Sequence, residues 1–364
     1  MMEKMGNAFS FGKNFKLEVF GSSHGPHVGV EIEGCPAGVE VSEAQIQAQL
    51  DRRKPGQSAL TSQRKEEDTV VIESGIENGK TTGGKMRMLV KNKDTRPGHY
   101  AKFSRMPRPG HADYPAIVKY GQVKSGGGFF SGRMTAAFVM AGAVAKKVLE
   151  KKGVRTLAFM RALGNVRLQG EPSEEEIVKG TYANAVRCPD AKTAAQMEEE
   201  VKNAIREQDS VGGIVECKVV GLPAGIGEPM FASIESIIAQ AVFAIPAAKG
   251  VEFGAGFEAA RMKGSAHNDE FVIVDGKIAT KTNNAGGILG GLSTGMPIVF
   301  RVAFKPTSSV FREQNTVDLE KMESAKLKIE GRHDPCICIR AVPVVENVAA
   351  FCIADIVLAG RKEG

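Results

Sequence analysis

Two stretches of the sequence, VGVEIEGCPAG at residues 28–38 and GGIVECKVVGLPAG at residues 212–225, share one pattern. Each is a run of apolar residues that ends in a turn rich in Gly, Pro and Ala, as expected of a β-strand that leads into a connection. Each is followed by a helical pattern with an acidic or hydroxyl residue at its start, such as SEAQIQAQLDRR at 42–53. The pattern predicts a degenerate internal repeat with pseudo-twofold symmetry, although a turn of this kind can also recur by chance.

The regions outward from these stretches interleave strand and helix patterns. The residues at 68–92 and 269–282 read as hairpins, those at 134–152 as a long buried helix, those at 295–304 as a strand and those at 345–358 as a closing helix. No linker rich in Pro or Ser divides the chain. The sequence therefore predicts one large α+β domain over residues 1–364. Its repeat halves would span about 16–150 and 210–358, with the acidic segment 171–209 as a peripheral helical insertion.

The composition is that of an ordinary soluble protein of 364 residues, 42% hydrophobic and 25% charged. A net charge of +6, no Trp and four Tyr argue against a nucleic-acid surface. The apolar run at 134–145 is shorter than a membrane span, and the start of the chain lacks a secretory pattern, so we expect a cytoplasmic protein that neither spans nor binds a membrane. The six cysteines show no CxxC spacing and are predicted to be reduced core residues, not metal ligands.

Three of the six histidines occur in polar turns flanked by Gly or Pro: GSSHG with His24, RPGHADYP with His111, and GRHDP with His333. Turns of this kind hold side chains at the edge of a cleft, and imidazole exchanges protons near neutral pH. A single loop histidine is usually a surface residue, but three beside Arg or carboxylate residues favour an acid–base site. None has HExxH spacing, and no metal site is predicted.

Three long strings, in this order, resemble the signatures of the chorismate synthase family. They are FGSSHGPHVGVEIEGCPAG, GGGFFSGRMTAAFVMAGAV and GRHDPCICIRAVP. Between them DRRKPGQS, QRKEED, RPGHADY, KGVEFGAGF, NNAGGILGGLSTG and KPTSS are also similar to family segments. The resemblance extends from about residue 6 to residue 358. It implies the family's β-α-β sandwich and its reaction, in which 5-enolpyruvylshikimate 3-phosphate loses phosphate by anti 1,4-elimination to give chorismate, the last common step of aromatic amino-acid biosynthesis.

The family's substrate carries two carboxylates and one phosphate, and its cofactor, reduced flavin mononucleotide (FMN), carries another phosphate. By resemblance, four arginines would bind the substrate anions, which suit the planar guanidinium fork: Arg53, Arg108, Arg133 and Arg340. Each of these could instead be a solvated surface charge. The flavin site would comprise Ser131, Pro246, Ala247, Gly290, Lys305, Pro306, Thr307, Ser308, Ser309 and Arg332.

The resemblance also implies acid–base roles. His24 would protonate the departing phosphate, His111 would protonate the reduced flavin, and Asp334 would help a proton leave it. Ser23 and Ser131 would relay protons. A reduced flavin donates charge as the carbon–oxygen bond breaks and takes the ring hydrogen, which leaves no net redox change.

Three positions depart from the family pattern: Ser22 stands in place of Glu, Ala59 in place of a basic residue, and Phe129-Phe130 in place of an Arg-containing pair. The last change removes a charge from an expected flavin contact. Two rivals therefore stay open, namely a reduced-flavin enzyme of the same fold with a related phosphorylated substrate, and a non-catalytic flavin-binding protein. The family further implies a homotetramer. Flavin reduction is expected from an outside reductase, with NADPH as an indirect electron source.

Overall fold

The computed structural model describes residues 8–62, 66–93, 102–123, 125–331 and 333–359. The strands ahead of the first long core helix are β1 (Ser10–Phe11), β2 (Lys16–Gly21), β3 (His27–Glu33), β4 (Val70–Ser74), β5 (Ile76–Glu77), β6 (Lys80–Thr81) and β7 (Met86–Lys91). In the described residues, five of them form an antiparallel sheet in the order β1-β2-β3-β7-β4, here called the N-terminal sheet. One face of β3 is fully buried because Val28, Val30 and Ile32 alternate along it. The predicted hairpin at 68–92 is confirmed as the β4–β7 pair.

The helices of this half are α1 (Glu43–Arg53), α2 (Asp113–Tyr120) and α3 (Thr135–Glu150). Ser42 caps α1 as predicted: its side chain accepts from the backbone N–H of Gln45, while the Gln45 side chain accepts from the N–H of Ser42. Helix α3 is apolar on nearly every side and is buried along most of its length, which confirms the helix predicted at 134–152.

The second half contains β8 (Arg155–Leu163), β9 (Val166–Arg167), α4 (Glu174–Gly180), α5 (Ala191–Arg206), β10 (Gly213–Val220), α6 (Ile234–Val242) and β11 (Ala248–Phe253). It continues with α7 (Gly264–His267), β12 (Phe271–Val274), β13 (Lys277–Thr280), β14 (Ile288–Leu289), β15 (Leu292–Ser293), β16 (Ile298–Phe304), β17 (Glu313–Asp318), β18 (Glu323–Lys328) and α8 (Cys338–Leu358). Its main sheet, the C-terminal sheet, has the order β11-β16-β10-β8-β9.

The two sheets share one topology. The order β2-β3-β7-β4 in the N-terminal sheet corresponds to β8-β10-β16-β11 in the C-terminal sheet. In both halves a helix follows the second strand, α1 or α6, and a long helix follows the last strand, α3 or α8. By this correspondence the second half begins with β8 at Arg155, well before the expected residue 210. The expectation started too late because α4 and α5, at 171–209, separate β8 from β10.

The long helices lie between the sheets. Helix α3 contacts β3 and β7, α8 contacts β8 and β10, and the two helices pack along each other. Their approach depends on Gly142, because a Cβ atom there would lie 2.5 Å from the backbone oxygen of Asn347. The layers run sheet, helices, sheet, so the predicted α+β sandwich is confirmed.

Helix α8 begins at Cys338, seven residues before the expected start at 345. The expectation was wrong because the helix runs through Pro343, a residue that usually ends or kinks one. The Asn347 side chain donates to the Pro343 carbonyl over 2.7 Å. By length and composition this 21-residue helix could span a membrane, but 89% of its most apolar stretch is buried inside the protein. It is a core helix, longer than the apolar run at 134–145.

The two ends of the described chain meet at Asp355 near the end of α8. Its Oδ1 atom accepts backbone N–H groups from Lys13 at 2.8 Å, Asn14 at 2.6 Å and Phe15 at 2.8 Å. These bonds fix the entry into β2. The six cysteines are buried and unpaired in disulfides, as predicted.

Candidate active site

A cleft between the two halves consists of two adjoining cavities. The first, of about 260 Å³, is lined by Arg53, Arg133 and Arg340 and is called the arginine cavity. The second, of about 650 Å³, is lined by His24, His111 and Lys305 and is called the histidine cavity. Both share Ser131, Gly132, Pro246, Thr307, His333 and Ile337. A ligand in one cavity is therefore next to a ligand in the other.

Arg53, at the end of α1, is 1% exposed. Its Nη1 donates to Asp68 Oδ2 at 2.9 Å and its Nε to Thr135 Oγ1 at 3.2 Å, while the buried Nη2 has no hydrogen-bond partner among the described residues. Burial, only partly offset by Asp68, lowers the pKa of Arg53 to about 9. A guanidinium with an unsatisfied edge, buried beside a cavity, is suited to binding an anion.

Arg133 and Arg340 complete the arginine cavity. Arg133 pairs through Nη1 with the same Asp68, and its Nε donates to Asn92 over 2.9 Å. Arg340, in the first turn of α8, donates through Nε to the Arg53 carbonyl at 3.0 Å and through Nη1 to Asp334 Oδ2 at 2.7 Å. Asp334 Oδ1 in turn accepts the Ser62 N–H at 2.7 Å. Three of the four predicted arginines thus lie together.

The fourth, Arg108, lies in the histidine cavity, apart from the other three. Two atoms of its guanidinium meet Asp113, with Nε to Oδ2 at 2.7 Å and Nη2 to Oδ1 at 2.8 Å. The group also stacks over Phe103, 4.4 Å from the ring centre. This bidentate pair orders the turn that carries His111.

His24 lies in the glycine-containing turn between β2 and β3. Ser23, fully buried, lies 3.2 Å from His24 Nδ1 through its Oγ, which also donates to the Gly126 carbonyl at 2.9 Å. Gly126 has a left-handed backbone, and a Cβ atom there would lie 1.8 Å from His24 Nδ1. The glycine run at 126–128 thus makes room for the imidazole.

His111 is held through both ring nitrogens. Its Nδ1 lies 2.9 Å from the Pro109 carbonyl, which can only accept, so Nδ1 carries the proton. Its Nε2 lies 2.9 Å from Ser309 Oγ. Burial, aided by the positive charge of Arg108, lowers the pKa of His111 to about 4. Before an anion binds, His111 is neutral at pH 7.

The segment KPTSS, residues 305–309, lines the histidine cavity. Lys305 Nζ donates to the Gly110 carbonyl at 2.7 Å and contacts Ser308 Oγ, and burial lowers the pKa of Lys305. Thr307 Oγ1 is buried without a partner among the described residues. An ammonium group beside several hydroxyls is suited to a phosphate or a polyhydroxylated chain, while Phe129, Phe130 and Phe243 supply apolar walls for a flat ring.

Several remaining flavin candidates also lie here. Pro246 and Ser131 line both cavities, and Ala247, Pro306 and Ser309 line the histidine cavity. Gly290 does not line either cavity. It forms the turn of the β14–β15 hairpin, where its left-handed backbone explains the glycine. Arg332 lies outside the described residues.

The three departures have different surroundings. Ala59 is exposed, and Ser22 lies at a turn where its carbonyl accepts from the Asn92 side chain at 2.9 Å. Phe129 packs edge-on against Phe9, with ring centres 5.3 Å apart, while Phe130 is 47% exposed. The two phenylalanines make one wall of the histidine cavity apolar where the family pattern has a charge.

Sequence reasoning gave no role to Asp68 or Glu66, which lie at or beside the arginine cavity. His333 lines both cavities, its Nε2 is buried without a partner among the described residues, and burial lowers its pKa. The GRHDP turn had marked His333 as an acid–base candidate. Nothing in the string QRKEED distinguishes Asp68 from the carboxylates beside it.

Comparison with known proteins gives one consistent result. The chorismate synthase family model matches residues 15–358. The chain is 50% identical over 354 residues to a protein named chorismate synthase from Korarchaeum cryptofilum, with 97% of this chain and 98% of that protein covered. It is also 50% identical over 352 residues to one so named from Methanocella arvoryzae, with 96% and 94% covered. A crystal structure of chorismate synthase superposes with a TM-score of 0.75 at 28% identity, covering 96% of this chain and 93% of that one. Together with the arginine and histidine cavities, these matches show that the chain belongs to the chorismate synthase family.

Proposed function

We propose that this protein is a lyase that converts 5-enolpyruvylshikimate 3-phosphate to chorismate and phosphate, with reduced FMN as cofactor. One observation carries the proposal: a cavity lined by three arginines opens directly onto a second cavity with a lysine, several hydroxyls and aromatic walls. A substrate with three anionic groups and a phosphorylated ring cofactor need such neighbouring sites.

In this proposal the arginine cavity binds the substrate's anions. Arg53 offers Nη2, and Arg133 and Arg340 lie on the adjoining walls. Each guanidinium is already oriented by a carboxylate or backbone group, so little side-chain freedom is lost on binding. Because Arg53 and Arg133 are buried and Arg340 is mostly so, an anion that reaches them exchanges water for charge-assisted hydrogen bonds.

The histidine cavity fits the flavin. Lys305, Thr307 and Ser308 would bind its phosphate or ribityl chain, and the phenylalanine wall would contact its ring. Reduced FMN supplies an electron-rich ring that assists the departure of phosphate. Pro246 and Ser131, which border both cavities, would keep cofactor and substrate in contact.

The two histidines differ in what they can do with a proton. His24, hydrogen-bonded to Ser23, would protonate the departing phosphate. His111 is neutral before ligands bind, and anions bound beside Lys305 and Arg108 would raise its pKa, since opposite charge favours imidazolium. It would then hold a proton close to the cofactor. Asp334, which lines the arginine cavity next to His333, would accept the proton that must leave.

The wider context follows the family. We propose a cytoplasmic homotetramer whose flavin is reduced outside the protein, with NADPH as the ultimate donor. Exposed apolar side chains of the second half support assembly of copies; they are Met230, Phe231, Phe257, Phe271, Ile273 and Ile278. Gel filtration with light scattering tests this assembly.

The deciding experiment is anaerobic. Purified protein, 5-enolpyruvylshikimate 3-phosphate and chemically reduced FMN are mixed, and phosphate release and chorismate absorbance are followed together. The expected result is equal amounts of both products, only when the flavin is reduced. Tight FMN binding without product would instead support a related phosphorylated substrate, and Phe129 and Phe130 are the positions that favour this second candidate.

A further inference from the structure

Asp68 pairs with two of the three arginines of the arginine cavity, although it lines neither cavity itself. One carboxylate oxygen accepts from Arg53 Nη1 at 2.9 Å, and the other pairs with Arg133 Nη1. The Asp68 side chain is fully buried. Two guanidinium groups from distant parts of the chain are thus fixed relative to each other by a single carboxylate.

The backbone at Asp68 supports this reading. Its φ of 52° lies in the left-handed region, which aspartate tolerates better than most residues but still at a cost. Gln47 holds the segment on both sides: its Nε2 donates to the Asp68 carbonyl at 3.2 Å and its Oε1 accepts the Val70 N–H at 3.0 Å. The hydrogen bonds from Gln47 hold this unfavourable backbone conformation, and in it the Asp68 carboxylate contacts both arginines.

The charges around Arg53 come from three directions. Asp68 and Glu66 approach from the segment before β4, Arg133 from the turn before α3, and Arg340 with Asp334 from the start of α8. Burial lowers the pKa of Arg53. The positive charges of Arg340 and Arg133 lower it further, whereas the negative charge of Asp68 raises it. Burial alone would raise the pKa of Asp68, but its two arginine partners outweigh burial and hold that pKa below the usual value.

We propose that Asp68 is a positioning residue for substrate binding: it sets the spacing of Arg53 and Arg133 and keeps the unsatisfied edge of Arg53 presented to an anion of the substrate. The proposal rests on the proposed function and adds a residue that touches neither substrate nor cofactor. Loss of Asp68 should weaken binding and leave the chemical step in place, because Asp68 contacts no reacting atom.

The test is Asp68→Asn in the full-length protein. Asparagine has nearly the same shape and adopts the left-handed backbone at least as readily, so the main changes are the loss of the charge and of one of the two acceptor oxygens that the arginines use. We expect KM for 5-enolpyruvylshikimate 3-phosphate to rise about 10- to 100-fold, as for the loss of a charge-assisted hydrogen bond, while kcat changes less than about threefold.

The chain offers a matched control in Glu216 on β10. This carboxylate is also fully buried between two arginines, with Arg301 Nε at 2.8 Å and Arg161 Nε at 3.6 Å, but it lines neither cavity. Glu216→Gln should lower the melting temperature and leave KM unchanged. If Asp68→Asn behaves in the same way, Asp68 is structural only and the proposal is wrong.

A second variant covers the case in which Asp68→Asn does not fold. Gln47→Met removes the amide that braces the Asp68 backbone and changes no charge, and we expect a smaller rise in KM, about three- to tenfold, at constant kcat. Unchanged KM in this variant would overturn the proposal. Turnover by the wild type separates the two hypotheses: no product from wild-type protein refutes the proposed function, whereas product with normal KM in the variants refutes only the role of Asp68.

Discussion

The Nε2 atom of His111 lies 2.9 Å from Ser309 Oγ, while its Nδ1 is held by the Pro109 carbonyl. This pair joins the RPGHAD turn of the first half to the KPTSS segment of the second. It fixes which nitrogen of the imidazole faces the histidine cavity, and a residue so constrained is expected to act on a proton at one defined position.

Replacing His111 with Ala should lower kcat about 10²- to 10⁴-fold, the usual contribution of a group that transfers a proton in the transition state. Ser309→Ala should cost less, because it removes only the group that orients the ring. Steady-state assays under anaerobic conditions check both. His267→Ala, in the short helix α7 away from both cavities, is the control. Near-normal turnover in His111→Ala would refute the role.

The pKa of His111 also predicts how stability depends on pH. Folding lowers it from an ordinary value of 6.5 to about 4, so below pH 6.5 the unfolded chain takes up a proton that the folded protein resists. The contribution of His111 to the free energy of unfolding is therefore fully present above pH 6.5 and is lost as the pH falls toward 4. When the pH is lowered from 7.5 to 5, the free energy of unfolding of His111→Gln should fall by about 1–2 kcal/mol less than that of the wild type. Urea unfolding at both pH values measures the difference, and identical losses would contradict it.

Gly126 and Gly127 form a natural pair of test sites beside His24. Both have left-handed backbones, with φ of 63° and 80°, so Ala costs a similar amount of backbone strain at each. At 126 the new Cβ would lie 1.8 Å from His24 Nδ1, whereas at 127 its nearest neighbour is Ser131 Cβ at 3.8 Å. Gly126→Ala should reduce kcat at least about 100-fold, like loss of the histidine itself, and Gly127→Ala less than about tenfold. Equal effects would mean that strain, and not displacement of His24, is responsible.

Lys305→Met should weaken FMN binding about 10- to 100-fold, because it removes the ammonium group from a cavity wall otherwise rich in hydroxyls. Quenching of FMN fluorescence on titration with protein measures the affinity directly, without turnover. Lys249→Met is the matched control, since Lys249 is close enough to lower the pKa of Lys305 but does not line the cavity. Equal affinities for the two variants would exclude Lys305 from the flavin site.

Gly142 in α3 gives a prediction about the core. An exposed helical glycine usually gains stability on replacement by Ala, by up to about 1 kcal/mol. At Gly142 the sign should reverse, with a loss of about 1–3 kcal/mol, because the added methyl group would meet the backbone of Asn347. Thermal unfolding tests this, with Gly264→Ala as the control because nothing lies within 4 Å of its Cβ position. A stabilised Gly142→Ala protein would show that α3 and α8 can move apart.

Much of the fold was readable from the sequence. The apolar runs and the paired turns at 28–38 and 212–225 predicted the strands, the core helix α3 and the internal repeat, since these depend on local periodicity. The start of α8 and of the second half were not readable. The first is hidden by Pro343, which is tolerated through tertiary packing, and the second by the insertion of α4 and α5.

The site divides in the same way. The polar turns indicated the histidines, and resemblance to the family indicated KPTSS and the arginines; most of these residues line the two cavities. They did not indicate that Arg108 lies apart from the other three arginines, that Asp68 joins Arg53 to Arg133, or that Gly290 belongs to a hairpin turn away from both cavities. Each of these facts depends on contacts between segments that are far apart in the sequence, and local sequence patterns do not indicate such contacts.

The hydrogen bonds from the backbone of Lys13, Asn14 and Phe15 to Asp355 have a consequence for the order of assembly in the cell. A ribosome makes residues 13–15 well before residue 355, so this anchor ahead of β2 can form only after the end of α8 has been synthesised. Until then the start of β2, the strand that leads to His24, lacks these three hydrogen bonds. A chain that stops short of residue 355 therefore leaves three backbone N–H groups ahead of β2 without the carboxylate that accepts them in the folded protein.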